Sequence, residues 1–379
     1  MTLAACKFIV RLSLCVTMLS TARAQGPSNG SSPPADTDSS FLHSLSIGIR
    51  GHFGTFMANL PKLQYVQDGY TMLGELDIVS QTNGRKSWQQ STNYPELGIG
   101  FLYGQSGASV YIGHIAAILP FINFHLFEKG PVSLNWRMGV GPAWIQKAFN
   151  PKTDYQNFVI GSHLNACINL LLSTEIRLLP RTSLDLGFSF THISNGSMAL
   201  PNLGLNTPAL SAGFRYDLYP RQKRIRHTLP PIKKKTNFYL YSFVAAKQSL
   251  PLESATYLVN VFAVEALHDI SRTSRLGGGI NMTLDRANNR QIPNSPEFAF
   301  DRSKSHWQAS LYAAYEYVVG NLSFPLQVGY YLYNNYPVNS IYEYMGVKYS
   351  FALHWSAGFA LKAHLGNGDF LQWGLGYKF

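Results

Sequence analysis

Polar and apolar residues alternate with a period of two through segment after segment of this chain. No apolar run after residue 24 reaches the roughly 18 residues that a membrane-spanning helix needs. Successive side chains on a strand point to opposite faces. Val132, Leu134, Trp136, Met138 and Val140 thus oppose Ser133, Asn135, Arg137 and Gly139, and Leu322, Phe324, Leu326, Val328 and Tyr330 oppose Ser323, Gln327 and Gly329. In the last segment Leu371, Trp373, Leu375, Tyr377 and Phe379 share one face, with Gln372, Gly374, Gly376 and Lys378 on the other. Hydrophobic residues make up 46% of the chain and charged ones only 13%. Apolar surface spread in this way suits a closed sheet that crosses hydrocarbon with every backbone group paired. A soluble sandwich alternates too, so the pattern by itself leaves two architectures.

The two ends of the chain separate them. Residues 1–24 read as an export signal: Lys7 and Arg11 are interleaved with an apolar stretch, and Thr21-Ala22-Arg23-Ala24 supplies small residues before a cleavage expected at Gln25. Cys6 and Cys15 leave with it, so the mature chain keeps only Cys167 and forms no internal disulfide. That cysteine usage suits a bacterial envelope protein better than a small secreted scaffold. At the other end, a final strand with an aromatic carboxy-terminus resembles the insertion signal of bacterial outer-membrane barrels. The expected fold is therefore all-β, an antiparallel transmembrane β-barrel in the bacterial outer membrane, with the barrel insertion machinery as a partner.

Net charge is +11, or about +8 without the three cations of the signal, and seven positive residues lie between Arg221 and Lys235. With its charge gathered in one stretch, the chain has no basic folded face for nucleic acid. The stretch reads as a solvated linker able to touch anionic headgroups.

Organisation follows from these marks. After a flexible lead-in (25–41) come a catalytic block (42–219), the basic Pro-containing linker (220–235) and a second, non-catalytic block (236–379). Each block parses into about eight strands. In the first they fall near 44–56, 70–81, 96–105, 108–125, 130–147, 157–178, 181–194 and 208–218. In the second they fall near 237–248, 254–268, 274–286, 305–319, 321–334, 340–351, 353–364 and 369–379. With one insertion signal for the whole chain, the expectation leans to a single barrel of about 16 strands. Two separate eight-stranded barrels are the alternative.

The blocks look like diverged copies. Phe190-Thr191-His192-Ile193-Ser194-Asn195-Gly196 is echoed by Lys362-Ala363-His364-Leu365-Gly366-Asn367-Gly368, with glycine in place of the serine. The phase of Trp355, Phe359 and Leu361 turns His364 inward beside Lys362, which makes that copy structural.

The first copy carries the chemistry. From Leu184 to Ser194 the alternation is strict, placing Leu184, Leu186, Phe188, Phe190, His192 and Ser194 on one presumed lipid face. His192 and Ser194 lie about 6.6 Å apart along the strand at ~3.3 Å per residue. If strands run alternately up and down from the periplasm, this seventh strand ends at the cell surface. A nucleophilic serine needs a base, a group that orients the base, and donors for the oxyanion. His192 is the base for Ser194. Asn206, of the same parity as Leu210, Ala212, Phe214 and Tyr216, can orient it, whereas the parity of Asp185 sends that carboxylate to the lumen. Asn195, Gly196 and Asn202 are candidate oxyanion donors.

His192-x-Ser194-Asn195-Gly196, followed by Leu200-Pro201-Asn202-Leu203-Gly204-Leu205-Asn206, resembles the lipid A deacylase family (PagL-type, acyloxyacyl hydrolase-like), most closely over residues 184–219. The resemblance implies an eight-stranded outer-membrane barrel with a lipid-facing Ser–His site. It also implies Ser194 as nucleophile, His192 as base, supporting Asn195 and Asn202, and lipid A or lipopolysaccharide of the outer leaflet as substrate. Where the family has an acid, fourteen residues after the histidine, this chain has Asn206, which brings no negative charge to the imidazolium. The pattern is also similar to outer-membrane phospholipase A, and only that reading would bring in a cofactor, calcium. A non-enzymatic channel or structural barrel is the alternative from another class.

Other signals read as structural. Asn195-Gly196 is by itself a common hairpin turn. Gly277-Gly278-Gly279 lacks the Lys-Ser/Thr of a phosphate loop. His52, His114 and His163 have no metal-ligand spacing. Tyr330, Tyr331, Tyr333 and Tyr336 read as an interfacial girdle.

Overall fold

The computed structural model describes residues 44–58, 60–252, 255–288, 306–334 and 339–379. The expected signal and lead-in, and Tyr336, lie outside the described residues. The first eight strands are β1 (Leu45–Thr55), β2 (Tyr70–Gln81), β3 (Glu96–Ser106), β4 (His114–Lys129), β5 (Val132–Ile145), β6 (Leu164–Leu179), β7 (Thr182–Ser194) and β8 (Leu205–Asp217). Each pairs with its sequence neighbour, and β1 closes on β8 from Ser46↔Asp217 to Gly54↔Ala209. The second eight are β9 (Thr236–Gln248), β10 (Thr256–Asp269), β11 (Ser274–Asp285), β12 (Trp307–Val319), β13 (Leu322–Asn334), β14 (Ile341–Ser350), β15 (Trp355–His364) and β16 (Asn367–Lys378). They close where β16 meets β9, from Gln372↔Ala245 to Lys378↔Tyr239.

The chain thus forms two eight-stranded barrels, and the merged barrel of about 16 strands is not formed. Merging requires β8 to pair with β9, but the edge of β8 is already taken by β1. Closure within each block satisfies every edge locally.

The interior of the first barrel has two layers. One is a buried charged network. Arg137 Nη2 donates to both Glu75 oxygens at 2.8 Å and to Asn169 Oδ1 at 3.0 Å, Arg50 pairs with Asp185, and His52 Nε2 lies 3.0 Å from Glu75. Above it sits an apolar plug built from Leu73, Leu119, Ile145, Ile193 and Leu205 together with the loop residues Ala108, Ile112, Val159 and Ile160. That plug explains two misplaced boundaries. The strands expected from 108 and from 157 begin at His114 and Leu164, because the apolar residues before them are loop anchors facing the plug.

The plug marks the end with the connections 56–69, 107–113, 146–163 and 195–204; the opposite end has the tight turns Gly130–Pro131 and Pro180–Arg181 and a single long connection, 82–95. Long loops face the cell surface in outer-membrane barrels. The basic linker is only partly solvated. Arg221 bonds Asp217 Oδ2 at 2.7 Å and Glu175 Oε1 at 2.6 Å, and Arg224 pairs with Glu128 and covers the Tyr94 ring at 4.8 Å. These pairs strap residues 221–225 over the short-turn end, while Lys233–Lys235 are exposed.

In the second barrel the interior cations Lys247 and Arg275 are ion-paired, while the buried Lys362 ammonium lies over the Tyr331 and Tyr342 rings at 4.9 and 4.6 Å without a hydrogen-bond partner among the described residues. Lys247 bonds Asp285 at 3.0 Å, and Arg275 bonds Glu316 at 2.9 Å. A Cβ on Gly277 or Gly279 would meet the carbonyls of Ala266 or Val264 at 1.9 and 2.2 Å, so these glycines serve close strand packing. The tyrosine girdle needs one correction. Tyr330 and Tyr333 are exposed, but Tyr331 points inward and is buried.

Candidate active site

Strand phase decides where the site faces. On β7, Ser189, Thr191 and Ile193 are buried in the interior, while Leu186 and Phe188 on the other parity are exposed, 45% and 43%. His192 and Ser194 share the parity of Leu186 and Phe188, as expected from the alternation. Across the sheet, His192 and Asn206 are direct partners in the β7–β8 ladder. Opposed residues bring their Cβ atoms to about 5 Å, so an asparagine here reaches the ring without bending either strand.

His192 Nδ1 lies 2.7 Å from Asn206 Oδ1, and His192 Nε2 lies 3.0 Å from Ser194 Oγ. An amide oxygen only accepts, so Nδ1 carries the proton and Nε2 presents its lone pair to the serine hydroxyl. Asn206, though on the outward parity, is fully buried. Ile193 and Leu205, one residue away on each strand, point into the plug and anchor the strand ends that carry the three groups.

Asp185, the nearest upstream carboxylate, is in the interior, paired with Arg50 and accepting from Ser173 Oγ at 3.1 Å. The three expected oxyanion residues lie in one ordered loop. Asn195 N–H donates to Asn202 Oδ1 at 3.1 Å, Asn195 Nδ2 donates to the Ala199 carbonyl at 3.0 Å, and Gly196 has a left-handed φ of 58°. The sequence reading missed Gly204. Its φ is 80°, and a Cβ there would approach His192 Cε1 to 2.9 Å. A glycine directly before the strand that bears the orienting asparagine was the available signal.

His52, His114 and His163 stand outside the Ser194–His192–Asn206 hydrogen-bonded chain. His52 belongs to the charged network, His114 stacks on Tyr103, and His163 stacks on Trp144. Among the described residues no cluster of three or more His, Cys, Asp or Glu could hold a metal ion. In the second barrel His364 is buried, with Nε2 2.8 Å from the Tyr331 hydroxyl.

Known protein families match each of the two barrels. The family model for lipid A 3-O-deacylase (PagL) matches residues 74–215, and that for the acyloxyacyl hydrolase C-terminal domain matches residues 236–379. Among solved structures, the outer-membrane enzyme PagL is 16% identical, with a TM-score of 0.31 over 44% of this chain and 97% of its own. The Neisserial surface protein NspA is 12% identical, with a TM-score of 0.30 over 46% of this chain and 97% of its own. No curated protein matches the sequence. One family match falls on each barrel, and the chain belongs to the PagL acyloxyacyl hydrolase family of the bacterial outer membrane.

Proposed function

We propose that this protein is a serine esterase that removes an ester-linked acyl chain from lipid A in the outer leaflet. Ser194 Oγ attacks the acyl carbonyl while His192 Nε2 takes its proton. The tetrahedral intermediate collapses with cleavage of the acyl–oxygen bond, and Nε2–H returns the proton to the departing sugar oxygen. Water, deprotonated by the same nitrogen, then releases the fatty acid from Ser194. Asn206 holds the imidazole in the required tautomer. We assign oxyanion stabilisation to the 195–202 loop, with Gly196 and Asn202 as donors and Asn195 both donating and ordering the turn. The observation that carries this reading is the Ser194–His192–Asn206 hydrogen-bonded chain on the lipid-facing parity, in a chain of the deacylase family.

The deciding experiment is mass spectrometry of lipid A from cells expressing the protein or its Ser194→Ala variant. The wild type shortens the lipid by one acyl chain. The variant loses at least about 10⁴-fold of the rate while inserting and folding as before. Continued deacylation by Ser194→Ala defeats the assignment.

A further inference from the structure

The lipid-facing site leaves open what recognises the polar part of the substrate, and the cell-surface rim of the first barrel offers a place for it. Between loops 107–113 and 146–163 lies an open cleft of about 510 Å³. Its lining includes Asn150, Asp154, Tyr155, Gln156, His163 and Lys147. Tyr155 is 61% exposed, leaving an aromatic face uncovered in the cleft, and the His163 ring is held flat by Trp144 at 5.0 Å.

The cleft is built rather than incidental. Asn157, fully buried, donates to the carbonyls of Tyr111 (2.8 Å) and Lys147 (3.3 Å) and to Asp154 Oδ2 (3.2 Å), tying the two loops together. Tyr111 Oη donates to Gln156 Oε1 at 3.2 Å, and Lys147 Nζ donates to the Val110 carbonyl at 2.8 Å. Val159 and Ile160 root the longer loop in the plug.

One edge of the cleft lies a few residues along the sheet from the reacting hydroxyl. Ser194 pairs with Ala166 across β6–β7, and His163 lies three residues before Ala166, about 10 Å along the strand. The same loop backs the histidine, since Gly204 N–H donates to the Val159 carbonyl at 2.9 Å and Gly204 abuts His192. A lipid with its ester at Ser194 and its chain down the Phe190, Phe188 and Leu186 face would therefore carry its headgroup up toward the cleft.

The lining chemistry names the headgroup. An exposed aromatic face beside amides and a carboxylate, supplying both donors and acceptors, matches a sugar ring with an apolar face and hydroxyl edges. A bare glycerophosphate would leave most of these groups unused. We propose that this cleft binds the amino-sugar headgroup of the lipid substrate and sets a preference for glycolipid over simpler esters. The inference rests on the esterase reading and adds the residues that choose the substrate, because a site that hydrogen-bonds a substrate's hydroxyls discriminates against esters lacking them.

The test compares the full-length protein with its Tyr155→Ala and Asp154→Asn variants in detergent micelles. The substrates are lipid A and a short-chain nitrophenyl ester that has no sugar. Each variant is expected to raise KM for lipid A about tenfold with kcat nearly constant, so that the lipid A to nitrophenyl-ester ratio of kcat/KM falls about tenfold. An unchanged ratio overturns the proposal. A second measurement separates this failure from failure of the esterase reading. In the Ser194→Ala background, calorimetry with the fully deacylated, phosphorylated glucosamine disaccharide should show binding that Tyr155→Ala weakens about tenfold. If Ser194→Ala still deacylates lipid A, the esterase assignment falls while this binding still decides the cleft. Absence of binding, or binding indifferent to Tyr155, overturns it.

Discussion

The two barrels end their seventh strands with the same spacing of His, small residue, Asn and Gly, yet the two histidines face opposite ways. On β7 the exposed apolar residues Leu186 and Phe188 share the parity of His192, which stays outside, bonded to Asn206 and Ser194. On β15 the outward residues are Trp355, Ala357, Phe359 and Leu361, of the opposite parity to His364. The imidazole goes inside, to the Tyr331 hydroxyl, and glycine stands at position 366. A one-residue difference between motif and hydrophobic phase moves every side chain to the other face. The motif is therefore necessary for the proposed chemistry and not sufficient. What separates the copies is the phase, the hydroxyl and the cross-strand amide.

That contrast can be pressed at the groups the second barrel lacks. After the loss expected for Ser194→Ala, the largest effect is expected on the oxyanion loop. Asn202→Ala removes a proposed donor and the acceptor of the Asn195 N–H, so kcat on lipid A should fall about 10²–10³-fold, read from initial rates of fatty acid release. A fall confined to KM would mean the loop only shapes binding. A smaller effect, of the opposite sign, is expected at the orienting position. Asn206→Asp keeps the length of the side chain and its contact with Nδ1–H, and adds the negative charge that stabilises an imidazolium. Its kcat should rise, by roughly tenfold if about 1.4 kcal/mol of that stabilisation reaches the transition state. A decrease would indicate that the fully buried side chain at position 206 tolerates no charge.

Most of this architecture was legible from periodicity together with the two chain ends, because period two alone also allows a soluble sandwich, which the export signal and the aromatic final strand disfavour. The outward parity of Ser194 and His192, and the inward one of Asp185 and His364, followed from the same count. Closure was not legible. Alternation says which face a residue takes and nothing about whether β8 pairs with β1 or β9, which the ladder register alone decides. Ile112, Val159 and Ile160 were read as strand because a loop residue packed into a barrel plug is as apolar as one facing lipid. Arg221 and Arg224 were read as solvated because their partners, Glu175, Asp217 and Glu128, lie up to about a hundred residues away in sequence. Tyr331 differs from its exposed neighbour Tyr330 only in parity, and the girdle reading overlooked that.

The smallest expected effect is the most direct examination of the phase argument. Gly366→Ser restores to the second barrel the one residue type its copy of the motif lacks. Gly366 has a φ of 85°, so a serine there carries a strain of about 1 kcal/mol, too little to unfold a closed barrel whose other strands are untouched. The new hydroxyl would still have no base beside it, because His364 is turned inward to Tyr331. The double variant Ser194→Ala, Gly366→Ser should therefore be as inactive on lipid A as Ser194→Ala alone. Recovery of deacylation would mean that the second imidazole can reach the lipid face after all, and that a serine, not a strand phase, is what the second barrel lost.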